Sequence, residues 1–308
     1  MMPEATDPAA SSLYKYVNIA GLKRILQGSI RFTQPSAFSD PFELLPEVVI
    51  PVDEPEGPIS IAFDISAKRR LPPAGEVDEV PDQCCSSDPT SRDIVQQLNS
   101  LIGILSLSRT DDSLLMWSHY ADQYAGAVIE FDALHEFFAG QIDVEYRRLR
   151  PKKNLSVYQA PAEPVPVAEL CAKSYQWEYE REVRVIRCLT DCERAGDDPR
   201  GFPVFTQRVP VAAIRSVTLG ERTKVFEQRD IYGLVKDTTI ALSLAAIDHV
   251  GYAFRRERIK FDVPVSQVGP MMSPRTAHIF SDAQSQRGEF ARWMVEQHPM
   301  SKVVNKPV

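Results

Sequence analysis

In the segment WEYEREVRVI (177–186), Glu178, Glu180, Glu182 and Arg184 fall on alternate positions. Side chains of a strand alternate with period two, so a strand here lines one face with three carboxylates and a guanidinium. Strands deplete glutamate, and like charges on one sheet face repel. A functional cluster is one reason to place them there. Paired carboxylates raise one pKa and supply a general base. Arg184 would limit the repulsion and can contact a phosphate. The competing reading is an exposed strand face crossed by a Glu182–Arg184 pair, worth only about 0–1 kcal/mol. Trp177, Tyr179, Val183 and Val185 are expected to pack on the other face, which Arg181 interrupts.

Other residues with chemical potential are scattered. His119 is the one histidine of five inside a sharply patterned segment, SLLMWSHYAD. Met116, Trp117 and Tyr120 share helical spacing there, which means core packing or a Tyr120 aimed into a cleft. Ser106 and Ser108 share a strand face in GILSLS, either for close packing or to meet a ligand. Asp40-Pro41-Phe42-Glu43 is a polar turn, with Phe38 and Phe42 as its anchors. Arg147, Arg148, Arg150, Lys152 and Lys153 form a basic run, read as a solvated loop or an approach to a phosphate. The cysteines number five, an odd count with two adjacent, so no disulfide framework is expected. Cys188 and Cys192 lack the further ligands of a zinc site, and no metal centre is expected. Phosphate-loop, GxGxxG, HExxH and GxSxG motifs are missing.

The elements that must position these residues are mixed. The 308 residues carry a net charge of -7, which argues against broad charge-driven nucleic-acid binding but leaves room for a local basic site. No apolar run is long enough to cross a membrane, and the polar, acidic start lacks signal-peptide character, so a cytoplasmic location is expected. Strands are expected at 13–17, 30–33, 103–108, 126–132 and 177–186, and in FPVFTQRV and AIRSVTLG. Helices are expected after Asn18, over 93–101, 113–122 and 167–175, in EQRDIYGLVKD and over 281–298. The segment 240–248 fits strand or helix equally. Residues 1–12 read as disordered, 67–92 as a flexible insertion, and 266–308 as a loop and C-terminal helix. Without a regular βαβ rhythm, residues 13–265 read as a single α+β domain.

Several segments together resemble a known family. LYKY, FSDPFE, GILSLS, LLMWSHYADQYAGAVIEFD, a lysine ahead of WEYEREVR, and AIRSVTLG follow the order of the bacterial domain-of-unknown-function family 2971. Ser39 stands where that family often has Asn. The family's layout looks like the ADP-ribosyltransferase fold, a split pair of small sheets with flanking helices, and especially like the DarT-like toxins. The resemblance implies NAD as substrate, a nucleic-acid or protein acceptor, and a role as toxin or phage-defence effector. By it, Tyr14, Lys15 or Tyr16 holds the first-strand position, Ser106, Ser108 or Tyr120 the second, and Glu182 or Glu180 the third. Lys15 would meet the pyrophosphate, Ser106 the ribose, Tyr120 the nicotinamide and Arg184 a phosphate, with Trp117 and His119 beside Tyr120. Two other functions fit the residues. One is a metal-dependent nuclease using Asp40, Glu43, Glu180 and Glu182. The other is a binding or regulatory module without chemistry.

Overall fold

The computed structural model describes residues 11–51, 61–66, 84–154 and 164–300. They are mixed α and β, in agreement with the α+β expectation. Where the sequence reads as one domain, the structure groups into two interleaved compact units. The first comprises Met1–Ser29, Leu107–Phe137 and Arg208–Val308; the second comprises Ile30–Ser106 and Phe138–Gln207.

In the first unit, five strands lie side by side in the order Phe254–Lys260, Ala241–Ile247, Ile214–Leu219, Ala127–Asp132, Ser12–Val17. Only Ile214–Leu219 and Ala241–Ile247 run parallel; the other neighbours are antiparallel. That parallel pair needs a crossover, which the Val225–Val235 helix provides. The ambiguous segment 240–248 is thus a strand, and six of the seven residues in Ala241–Ile247 are buried. A near-continuous apolar run of this kind is what a strand covered on both faces requires. The Ile19–Leu26 helix begins as its sequence suggests: Asn18 Oδ1 accepts the Gly21 N–H at 2.7 Å. It stops before Gly28, whose φ of +92° suits a residue without Cβ. The C-terminal region belongs to this unit, with its helix at Gln286–Glu296.

The Leu114–Tyr120 helix ends in an uncommon way. Asp122, Gln123 and Tyr124 have φ of 49°, 51° and 73°, three consecutive left-handed residues without a glycine. Each such residue costs roughly 1–2 kcal/mol. The turn is held by N–H donation from Gln123 to Ser118, from Tyr124 to Trp117 and from Gly126 to Ala121, at 3.3, 3.2 and 2.8 Å. Gly126 and Gly220 let neighbouring backbones close on it. A Cβ at Gly126 would lie 2.2 Å from the Val17 carbonyl oxygen, and one at Gly220 2.1 Å from that of Tyr124.

The described residues of the second unit form short strands around the helix Asp88–Leu101. The helix starts earlier than expected and takes up the end of the supposed insertion. Ser87 accepts from Thr90 N–H, and Pro89 occupies the first turn, so Ser-Asp-Pro is a helix start rather than a loop. A short strand, Cys84–Ser86, precedes it, while residues 67–83 lie outside the described ones, as do 1–10. Ile94 and Leu98 on the helix pack with Leu44, Val48, Ile104 and Ile186 in a buried apolar core. Two further expectations change. The stretch 167–175 is a single 3-10 turn, Val167–Leu170, followed by the strand Ala172–Ser174. That strand pairs in parallel with Glu145–Arg147, placing Lys173 beside Tyr146. The stretch 177–186 is not one strand either. Tyr175–Glu180 forms a 3-10 helix, Arg181 is left-handed at φ 43°, and the strand runs Glu182–Cys188.

Candidate functional site

The break at Arg181 overturns the alternation argument for Glu178 and Glu180, which do not lie on the strand. Ser174 Oγ accepts the Gln176 N–H and starts the 3-10 turn instead. Glu180 and Glu182 nevertheless meet, because the turn reverses onto the start of the strand. Lys173 Nζ lies 2.9 Å from Glu180 and 2.7 Å from Glu182. The Arg184 guanidinium takes Glu182 with both arms, Nε to Oε1 at 2.9 Å and Nη2 to Oε2 at 3.0 Å. These groups are not on an exposed face: Glu180 and Glu182 are each 4% exposed and Arg184 is 0% exposed. The exposed-pair reading is therefore wrong. Val183 and Val185 are buried as expected, whereas Trp177 and Tyr179 belong to the 3-10 turn, with Lys173 5.8 Å from the Trp177 ring centre.

Glu43 completes the cluster and was assigned only to a turn or to the nuclease alternative. Its turn is set by Asp40, whose Oδ1 accepts the Phe42 N–H at 2.9 Å. This turns Glu43 inward to 3% exposure and Phe42 outward to 58%, so Phe42 is not the anchor expected of it. Glu43 Oε1 lies 2.6 Å from Arg184 Nη1, and Oε2 lies 3.8 Å from Lys173 Nζ. The contact with Arg184 is within hydrogen-bonding distance, whereas the contact with Lys173 is longer and ionic. Phe38 packs beside the core, and Arg184 sits 6.0 Å from its ring centre. Tyr146 closes the site by accepting the Glu182 backbone N–H at 2.7 Å.

Three carboxylates thus face two cations. Burial works against the charge on Glu182, but Arg184 and Lys173 outweigh it and hold the carboxyl at about 2. Burial dominates at Glu43 and raises its pKa, with Arg184 and Lys173 offsetting only part of the effect and Glu182 adding to it. The carboxyl that this cluster raises is thus Glu43, while Glu182 is lowered. Burial opposes the charge on Lys173, yet Glu182 and the other carboxylates raise its pKa overall. Beneath them, burial pushes the Cys171 thiol up to about 11, so it is not a nucleophile at neutral pH.

Lys173 also lines an open pocket of about 200 Å³ in the same unit, together with Arg147, Arg148 and Arg150. Phe42, Leu149 and Leu170 are among its apolar walls. The basic run is therefore only partly a solvated loop. Arg147 pairs with Glu145 at 2.7 Å, and Lys153 with Glu169 at 2.6 Å. For the nuclease alternative, Glu43, Glu180 and Glu182 are close enough, but the ammonium and guanidinium occupy the positions from which they would hold a cation. Asp40 is spent on its turn. No group of three metal-binding side chains occurs among the described residues.

The remaining candidate residues belong to the first unit, except Ser106, which lies half-buried in the second. Tyr16 and Trp117 are core residues, correcting their placement on a ligand. Their rings meet edge-on at 5.7 Å, Tyr16 Oη donates to the Thr110 carbonyl, and Trp117 Nε1 donates to that of Asp111. Trp117 is 2% exposed. Ser108 is fully buried, and its Oγ accepts the Thr110 N–H at 3.0 Å in a local turn. His119 is exposed, Tyr120 half-buried, with ring centres 6.2 Å apart. Lys15 is half-buried. Tyr14 sits opposite Glu130, which accepts from the Ser12 and Ser216 hydroxyls at 2.9 and 2.6 Å. Burial, then Glu130, raises the Tyr14 pKa. This Glu130 cluster has no sequence signal beyond the strand alternation that places it.

Comparison with protein-family models, curated proteins and solved structures finds no match. No helix among the described residues is long and apolar enough to cross a membrane.

Proposed function

We propose that the chain acts on NAD, as an ADP-ribosyltransferase or NAD glycohydrolase. Lys173 carries the reading: one side chain ties the buried Glu180–Glu182 pair to a cationic pocket. A glycosidic cleavage of NAD uses both halves. Phosphate needs the cations, and the ribose needs a carboxylate that stays ionised, as Glu182 does at about 2. The bond from ribose C1′ to the nicotinamide nitrogen breaks, and its electron pair leaves with neutral nicotinamide. Negative charge at Glu182 stabilises the cationic sugar carbon, and water or an acceptor group attacks that carbon and loses a proton. Lys173 and Arg184 neutralise Glu182 at rest, so the reaction requires the ammonium to turn away toward the bound phosphates. A pocket of about 200 Å³ is below the roughly 300–1,000 Å³ of a drug-sized site, so it would hold one end of NAD. In this reading the fold is ADP-ribosyltransferase-like, the acceptor is a nucleic acid or a protein, and the setting is a cytoplasmic toxin or phage-defence effector. The resemblance to family 2971 is its other support.

The test is nicotinamide release from NAD by the purified protein, alone and with DNA, RNA or cell protein added. Wild type is expected to release nicotinamide, and Glu182→Gln to lose at least a hundredfold in rate. No release under any of these conditions sinks the reading. Because Glu182→Gln also disturbs a buried ion cluster, its folding is checked by circular dichroism, and Lys173→Met provides a second variant expected to lose turnover.

A further inference from the structure

The pocket has a charge balance that its neighbours do not complete. Its lining includes Arg147, Arg148, Arg150 and Lys173, but no carboxylate. Glu145 satisfies Arg147, and Glu180 with Glu182 satisfies Lys173. Arg148 and Arg150 have no carboxylate partner among the described residues. Arg148 lies 5.4 Å from the Tyr175 ring centre, and Arg150 only reaches the Pro46 carbonyl at 3.5 Å. Two guanidinium groups two positions apart, facing apolar walls, form a receptor for an anion with a short apolar or sugar body. Guanidinium forks match phosphate oxygens in pairs and bind them more strongly than a point charge would.

The size restricts the class further. The open pocket of about 200 Å³ is smaller than the roughly 300–1,000 Å³ of sites for drug-sized ligands. A phosphoryl group with part of a sugar fits that space, and a whole dinucleotide does not. We infer that this pocket is a binding site for the phosphate of a sugar or nucleotide monoester, with Arg148 and Arg150 as its principal ligands. The inference goes beyond the NAD reading and stands without it. Lys173 links it to the carboxylates, because a phosphate here competes with Glu180 and Glu182 for one ammonium.

The experiment is calorimetric titration of the full chain with inorganic phosphate, ribose 5-phosphate and uncharged ribose, paired with ³¹P NMR of ribose 5-phosphate. Ribose 5-phosphate is expected to bind saturably, more tightly than inorganic phosphate, with ribose silent. The double variant Arg148→Ala/Arg150→Ala is expected to weaken binding at least tenfold. If that variant does not fold, Arg148→Gln, at an exposed position, replaces it with an expected severalfold loss. The inference falls if ribose 5-phosphate gives neither heat nor ³¹P broadening up to 10 mM probe, or if the variants bind as wild type does. Binding of ribose 5-phosphate by a protein that leaves NAD intact upholds the inference and removes the NAD reading alone.

Discussion

Glu43 and Glu182 share Lys173 and Arg184 but answer to burial in opposite directions. The carboxyl of Glu182 falls from an ordinary 4.5 to about 2, so it contributes stability that is complete above pH 4.5 and lost as pH falls toward 2. That contribution is on the order of 3 kcal/mol at 1.36 kcal/mol per unit. Glu43 is raised, so the folded protein holds its proton longer than the unfolded chain does. Stability then declines as pH climbs from 4.5 toward the folded value. Substituting each by glutamine separates the two. Glu182→Gln is expected to lower unfolding free energy at pH 7 by roughly 3–5 kcal/mol, as breaking one side of a buried pair does. Glu43→Gln is expected to be neutral or stabilising and to flatten the decline above pH 4.5. Urea melts from pH 4 to 8 measure both. The Glu182–Arg184 pairing was legible because the two lie i, i+2 on a real strand. Glu43 was legible only as a metal ligand, because its contacts with Arg184 and Lys173 join segments far apart in the sequence; Lys173, only seven residues from Glu180, was hidden by a 3-10 turn that reads as strand.

Among the elements, the left-handed turn at Asp122–Tyr124 is where local preference yields to packing. Its three residues would relax to ordinary φ were they not tied to Ser118, Trp117 and Leu114, the last through the Tyr124 hydroxyl. Gln123 is exposed, so its side chain contributes little against the conformational cost. Gln123→Gly is expected to raise stability by roughly 0.5–1.5 kcal/mol, since glycine accepts positive φ without a Cβ penalty. Thermal melts of the two proteins check this, and a lower midpoint for the glycine variant contradicts it. Most elements were readable, because apolar periodicity fixes a strand such as Ala127–Asp132 or a helix such as Val225–Val235 locally. The 3-10 turn at Tyr175–Glu180 was not. Its alternating charges imitate a strand, and the left-handed Arg181 that ends it has no glycine to mark it.

At the scale of the molecule, a net charge of -7 coexists with a pocket whose charged lining is wholly cationic, so bulk charge said nothing about this site. The division into interleaved units was equally hidden, since no linker composition marks a chain that passes between units and returns. The first unit draws three of its five strands from beyond residue 207. A fragment ending at Gln207 should leave Ala127–Asp132 without its neighbour Ile214–Leu219. Hydrogen exchange is expected to show Ala127–Asp132 protected in the full chain and rapidly exchanging in the fragment. The same interleaving bears on how the protein is made. Ser12–Val17 leaves the ribosome long before either partner, the strand end at Ser108 or Ala127–Asp132, has been synthesised. At about 5–20 residues per second, it waits on the order of ten seconds as an unpaired β-prone segment. The nascent chain should therefore be a client for holding chaperones through much of its translation, and slowing synthesis would lengthen that exposure rather than help the fold.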